Sequence, residues 1–326
     1  MQIFFKIKRI KFAQNLFILK IFNSILDFKS NKKTVLTLGT FDGVHLGHQS
    51  ILKKIIEAAS NEDEESLVLT FFPHPRMILE QDSDIKLLNT IEEKASLLYK
   101  LGIDHLVIQK FDNSFSQLAP EDFVKQILVD IFNVKKIIIG YDHRFGKNRA
   151  ADINDLIAFG QKYNFEVEQI SAEEINDVSI SSTKIRLALQ AGNISLANDY
   201  LGYQYFLNGT VVKGRQLGRT IGYPTANIQV DENFKLIPAI GVYAAYAIID
   251  DEKYFGMVNI GTNPTIGENP LTIEVNIFDF NKDIYNKKIT IGFIDKIRDQ
   301  QKFNSLDELK NALSNDKMIT QKLISK

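Results

Sequence analysis

"TVLTLGTFDGVHLGH", residues 34–48, runs from a β-rich apolar segment into a glycine-rich loop that holds two of the chain's five histidines, His45 and His48. Beyond Gly47 the apolar residues Ile51, Leu52, Ile55, Ile56 and Ala59 recur at helical spacing, so the stretch reads as strand, loop, helix. The same unit repeats. "SLVLTFF" (66–72), "HLVIQ" (105–109), "KKIIIG" (135–140) and "FEVEQI" (165–170) are further β-rich runs separated by amphipathic segments of helical length. "TIEE" at 90–93 reads as a capping box, and Pro120 suits the first turn of a helix. Short buried strands joined by crossover helices predict an α/β domain with a doubly wound, Rossmann-like parallel sheet, whose ligands bind at the carboxyl ends of the strands.

The 39–48 loop belongs at such an end. With a helix starting near Gly47, His45 and His48 stand where free N–H groups and the helix dipole favour an anion. Gly39, Gly43 and Gly47 let the backbone approach a phosphate chain closely. A polyphosphate is the expected guest. "ISSTKIR" (180–186) is a second candidate: Ser181, Ser182 and Thr183 suit a helix cap, while Lys184 and Arg186 supply charge.

After about Leu201 the pattern changes to strands and turns: "YFLNGTVVKG", "GVYAAYAIID", "KYFGMVNIG", "LTIEVNIFDF" and "KKITIGFID". This predicts a small antiparallel β-barrel with a C-terminal helix capped by "SLDE" at 305–308. The expected organisation is an N-terminal extension (1–19), a first domain (20–188) and a second domain (200–326).

Composition limits the function. Thirty-nine basic and forty acidic residues leave a net charge of −1, so no global field favours nucleic acid or an anionic membrane. The chain has no cysteine, which excludes disulfides, zinc-thiolate sites and a thiol nucleophile and fits the cytoplasm. The longest apolar run, "AIGVYAAYAII" at 239–249, is far short of the ~20 residues of a spanning helix. Residues 1–20 carry Lys6, Lys8, Arg9, Lys11 and Lys20 and no acid, which reads either as a dispensable tail or as a basic membrane-surface helix.

The motifs together carry a resemblance. "GTFDGVHLGH" with "ISSTKIR" is similar to the HxGH nucleotidyltransferases, and "FFPHP" (71–75) with "GYDHRFGKNR" (140–149) resembles the bacterial bifunctional riboflavin kinase/FAD synthetase family. "GRTIGYPTANI" (218–228) and "IEVNIFDF" (273–280) resemble that family's kinase signature and catalytic-base strand. The resemblance implies two reactions: ATP phosphorylates riboflavin to FMN, and a second ATP adenylylates FMN to FAD with release of pyrophosphate. It implies ATP-phosphate roles for Gly39, Phe41, His45, Gly47, His48, Ser181, Ser182, Thr183 and Arg186 in adenylyl transfer. It puts Pro73, His74, Pro75 and Asp142 on the flavin side. For the kinase it implies Glu274 as the base, Thr225 and Asn227 as Mg²⁺ ligands, Gly214, Gly218 and Gly222 against phosphates, and Arg298 beside the flavin. Riboflavin, FMN and ATP are the implied partners, with neither nucleic acid nor membrane; the oligomeric state stays open.

The sequence departs from the family's pattern at His143, where Phe is usual, and at Ala151, Asn276 and Gln300. Two other readings remain open at this stage. A class I aminoacyl-tRNA synthetase also uses an HxGH loop, and a non-catalytic flavin-binding protein could keep the fold.

Overall fold

The computed structural model of the chain describes residues 18–80, 83–141, 143–171, 180–214, 218, 221–262 and 271–325. Two compact units emerge, Met1–Ile180 and Ser181–Lys326.

In the first unit six parallel strands form one sheet: β1 (Lys20–Phe22), β2 (Thr34–Leu38), β3 (Glu65–Phe72), β4 (His105–Lys110), β5 (Val134–Gly140) and β6 (Glu166–Ile170), in the order β1-β4-β3-β2-β5-β6. The five expected strands are present. The sixth, β1, is three residues long and pairs with β4 through Lys20↔His105 to Phe22↔Val107. Leu19 beside it, read from sequence as part of the extension, is buried. β2 is buried along its whole length, Thr34 and Thr37 included, because both faces are covered, and it therefore shows no alternation of buried and exposed residues. The chain moves outward from β2 through β3 to β4, then returns to start β5 on the other side of β2. The sheet therefore switches direction between β2 and β5, where doubly wound sheets bind ligands.

Helices α1 (Leu46–Asn61), α2 (Ile91–Leu101) and α3 (Ile153–Tyr163) begin on side-chain caps: His45, Thr90 and Asp152. At Thr90 the reciprocal bonds of a capping box both form, Glu93 N to Thr90 Oγ1 at 3.1 Å and Thr90 N to Glu93 Oε2 at 2.9 Å. The fourth crossover starts at Pro120 and continues as a π-helical stretch, Phe123–Val129, which buries Phe123, Val124, Ile127 and Leu128 in the sheet's core.

The second unit opens with α4 (Ser182–Gln190) and α5 (Ile194–Leu201) and continues as a closed antiparallel barrel. Its strands are β7 (Phe206–Val212), β8 (Ala226–Gln229), β9 (Gly241–Ile249), β10 (Glu252–Thr262), β11 (Leu271–Ile277) and β12 (Lys288–Arg298), paired in the order β10-β11-β8-β7-β12-β9. Alternation is plain in β7, whose burial changes at every residue. α6 (Leu306–Ile324) follows, capped by Ser305. The helix bearing "ISSTKIR" groups with this unit, and Leu189 in it accepts a hydrogen bond from Ala239 N at 3.0 Å.

Candidate functional site

The first site is a cleft of about 550 Å³ at the carboxyl ends of β2, β3, β4 and β5. From the 39–48 loop it takes Gly39, Thr40, Phe41 and His48; from the end of β3 it takes His74 and Pro75. Phe111 and Phe115 supply aromatic walls, and Arg76, Arg144 and Arg149 supply positive charge. Pro73 immediately follows β3, joined to Phe72 by a cis peptide.

The loop is held in a demanding shape. Phe41 (φ 45°) and Val44 (φ 40°) occupy the left-handed region, which is costly for a ring-bearing and above all a β-branched residue. Surrounding bonds fix it. Gly39 N donates to Leu69 O at 3.0 Å, Gln49 Nε2 to Val44 O at 2.9 Å, and Asp42 Oδ1 accepts from Leu88 N at 2.9 Å and Asn89 N at 3.4 Å. A Cβ on Gly39 would lie 3.3 Å from the Phe41 ring, a tight contact that the ring would have to relieve by shifting a few tenths of an ångström.

His45 caps α1, its Nδ1 accepting from His48 N at 3.4 Å, and the two imidazoles stack with centroids 3.7 Å apart. Burial first, then the positive charges of His45 and Lys94, hold His48 well below the usual histidine range. Its Nδ1 is buried without a hydrogen-bond partner. The site thus presents a neutral imidazole at a helix N-terminus, and an arriving phosphate would draw it toward the charged form. Gly47 is buried in the first turn of α1.

Ser181, Ser182, Thr183 and Arg186 lie at the start of α4, in the second unit. Ser181 is the N-cap and accepts from Lys184 N at 3.3 Å; Arg186 is half-buried one turn on. Asp142 lies outside the described residues.

The second site is in the barrel. Antiparallel pairing of β11 with β8 sets Glu274 directly opposite Asn227, and Thr225 Oγ1 donates to Glu274 Oε2 at 3.3 Å. Glycines make room for this group. A Cβ on Gly214 would fall 1.9 Å from Asn227 Nδ2, and one on Gly218 would fall 2.1 Å from Tyr223 O. Gly222 has φ 84° in the turn before the strand. Asn276, one of the departures, donates from Nδ2 to Pro224 O at 2.7 Å and so holds the start of "PTAN". Beside this group lies a cavity of about 560 Å³, whose walls include Val211, Val275, Ile277 and Ile284 with Thr225 at its edge. The oxygens of Thr225, Asn227 and Glu274 are hard ligands of the kind Mg²⁺ accepts. No cluster of three His, Cys, Asp or Glu suited to a metal occurs among the described residues.

Arg298, expected beside the flavin, pairs with Asp316 in the same unit. Its Nε lies 2.9 Å from Asp316 Oδ1 and its Nη2 2.8 Å from Asp316 Oδ2, with Asp316 buried on α6.

Sequence reading passed over Asp42, although an acid inside a loop expected to face phosphate is itself a signal that its carboxylate is committed elsewhere. It also passed over Arg144 and Arg149, which sit inside the quoted "GYDHRFGKNR". Lys94 carried no signal, since a lysine in an amphipathic helix ordinarily faces water.

Both stretches of the chain that carry these sites match known families. Residues 27–184 match the FAD synthetase family, and residues 201–324 match the riboflavin kinase family. The bifunctional riboflavin kinase/FMN adenylyltransferase of Listeria monocytogenes is 38% identical over 294 residues, covering 90% of this chain and 93% of that one. The chain belongs to the bifunctional riboflavin kinase/FMN adenylyltransferase family. The Escherichia coli K12 member of this family is 36% identical over 285 residues, 87% of this chain and 90% of its own. A solved structure from Streptococcus pneumoniae, named as a macrolide-efflux protein, superposes with a TM-score of 0.84 at 32% identity, covering 93% of this chain and 98% of that one. No helix among the described residues here is long and apolar enough to cross a membrane.

Proposed function

We propose that the second unit transfers the γ-phosphoryl group of ATP to the ribityl 5′-hydroxyl of riboflavin, and that the first unit joins the resulting FMN to the adenylyl group of a second ATP. One observation carries the reading: each of the two matched stretches of this chain includes one of the two sites, the histidine loop in the first and the Glu274–Asn227 pair in the second.

In adenylyl transfer an FMN phosphate oxygen forms a bond to the α-phosphorus of ATP while the bond to the bridging oxygen breaks, releasing pyrophosphate. The nucleophile is already an anion, so the site has to align the groups and offset developing charge. His45, His48 and the amides at the start of α1 suit the nucleotide phosphates, with Gly39, Phe41 and Gly47 shaping their approach. Phe111, Phe115, His74 and Pro75 suit the flavin ring and its flank, and Arg144 and Arg149 suit its phosphate. The family resemblance adds Ser181, Ser182, Thr183 and Arg186 as ATP-phosphate ligands.

In the kinase reaction the nucleophile is a neutral hydroxyl, and the Glu274 carboxylate is the acceptor for its proton as the γ-phosphoryl moves. Thr225 and Asn227 would hold Mg²⁺, which neutralises phosphate charge when bound. The family resemblance sets Gly214, Gly218 and Gly222 against the phosphates, the first two also giving Asn227 and the Tyr223 carbonyl their room. A cysteine-free chain needs no oxidising compartment, which supports a cytoplasmic location.

Incubating the purified chain with riboflavin, ATP and Mg²⁺ and separating the flavins tests the reading. FMN and FAD should both accumulate; a chain that makes neither has another function.

A further inference from the structure

One buried charge in the first unit has no part in the proposed chemistry. Lys94, on α2, is 5% exposed, and its Nζ donates to Thr40 O at 2.6 Å and to Thr70 Oγ1 at 3.3 Å. Both acceptors are uncharged. Removing an ammonium from water is costly unless an opposite charge compensates. The acid that draws on it is Asp42, whose Oδ1 is shared with the amides of Leu88 and Asn89. Packing alone would be served as well by Met or Leu at this position.

Location gives the charge a purpose. Thr40 belongs to the 39–48 loop and lines the cleft, so the ammonium sits directly behind the cleft wall. Directly after Thr40 the loop carries Phe41 and Val44 in the left-handed region, and such a shape persists only where its surroundings over-determine it. Asp42 binds the loop to the turn before α2, and Lys94 binds α2 back to the loop.

We propose that Lys94 is a positioning residue for adenylyl transfer: it ties Thr40 to α2 and keeps, behind the loop, a buried positive charge whose compensating anion is the polyphosphate of the bound nucleotide. This rests on the reading of the loop as the ATP-phosphate site.

A thermodynamic consequence separates this role from simple packing. Burial pushes Lys94 down to about 8, so the empty site holds this proton weakly. A polyphosphate at the loop favours the charged form, and nucleotide binding above that pH must then take up a proton. Among the described residues, Asp42 acts on Lys94 and Lys94 in turn acts on His48, which stacks on His45; β3 contributes the Thr70 hydroxyl, and Glu93 on α2 is bound into the cap at Thr90. At about pH 8.5 His48, held well below its usual range by burial, stays neutral.

The test is calorimetry of a non-hydrolysable ATP analogue with Mg²⁺ binding to the full chain at about pH 8.5, in buffers of different ionisation enthalpy. The wild-type chain should take up roughly half a proton or more at the first-unit site, and Lys94→Met should lose that uptake. The same variant should form FAD from FMN at least ~10-fold more slowly, chiefly through kcat, while phosphorylating riboflavin at the wild-type rate. A wild-type chain that phosphorylates riboflavin but makes no FAD refutes the adenylyltransferase reading itself. A chain that makes FAD but binds nucleotide without proton uptake refutes the role of Lys94, and so does uptake or full FAD synthesis that survives in Lys94→Met. Should Lys94→Met not fold, the wild-type proton count alone decides between the two outcomes.

Discussion

Glu274 faces Asn227 across the β11–β8 pair and accepts a hydrogen bond from Thr225 Oγ1 at 3.3 Å, so one carboxylate is held by a neighbour on its partner strand's entry. Replacing it by an amide of the same shape keeps the packing and removes the proton acceptor. Glu274→Gln should slow riboflavin phosphorylation by roughly 10²-fold or more with little change in flavin affinity, and should leave adenylylation of added FMN unchanged. Unchanged turnover would remove Glu274 from the chemistry.

His48 makes the complementary case in the first unit. His48→Ala should lower FAD formation from FMN by about 10²-fold or more, the scale of losing one preorganised group at developing charge, while riboflavin phosphorylation continues. Equal loss of both activities would point to a folding defect.

Stability should depend on pH in one unit more than the other. All five histidines lie in the first unit. His48 and His105 are both held below the usual range by burial, so below about pH 6.5 the unfolded chain binds protons that the folded chain refuses. The resulting stability is complete above that pH and declines as the pH falls. Between pH 7.5 and 5.5 the Tm of the first unit should drop by a few degrees while a Ser181–Lys326 fragment shifts less, as scanning calorimetry of the full chain and the fragment would show.

Helix α5 packs against the barrel. Ile194, Ala197 and Leu201 of α5 are fully buried, and Asn198 donates to Phe293 O at 3.1 Å while accepting from Tyr205 N at 2.7 Å. A fragment starting at Ser181 should fold and phosphorylate riboflavin. One starting at Tyr203 should be less stable by at least ~3 kcal/mol, measured by urea denaturation, since it leaves the surfaces those side chains cover exposed.

Arg298→Ala should act on stability before affinity. The buried Asp316 carboxylate would lose its bidentate partner, at a cost of roughly 3–5 kcal/mol. A variant of normal stability with weak riboflavin binding would instead support the direct flavin role.

Much of this was legible in the sequence for identifiable reasons. Parallel strands buried on both faces leave long apolar runs, and the 39–48 loop announces itself because glycines and histidines together suit few purposes but anions. β1 escaped because "KIF" is three residues inside a basic, apolar stretch, where neither length nor alternation gives a signal. The fate of Arg298 depends on Asp316, on another element eighteen residues away, and only tertiary structure brings those groups together. Lys94 escaped because polarity in an amphipathic helix is read as exposure.

Barrel closure also sets an order of events during synthesis. β12 pairs with β7 on one side and β9 on the other, so the last strand made is the one that seals the ring. The first unit's sheet is complete once Ile170 has emerged, and it can fold while the ribosome is still translating the rest. The second cannot close until Lys288–Arg298 are free of the ribosomal tunnel, and a nascent chain stalled before that point exposes the open edges of β7 and β9 to chaperones or to other chains.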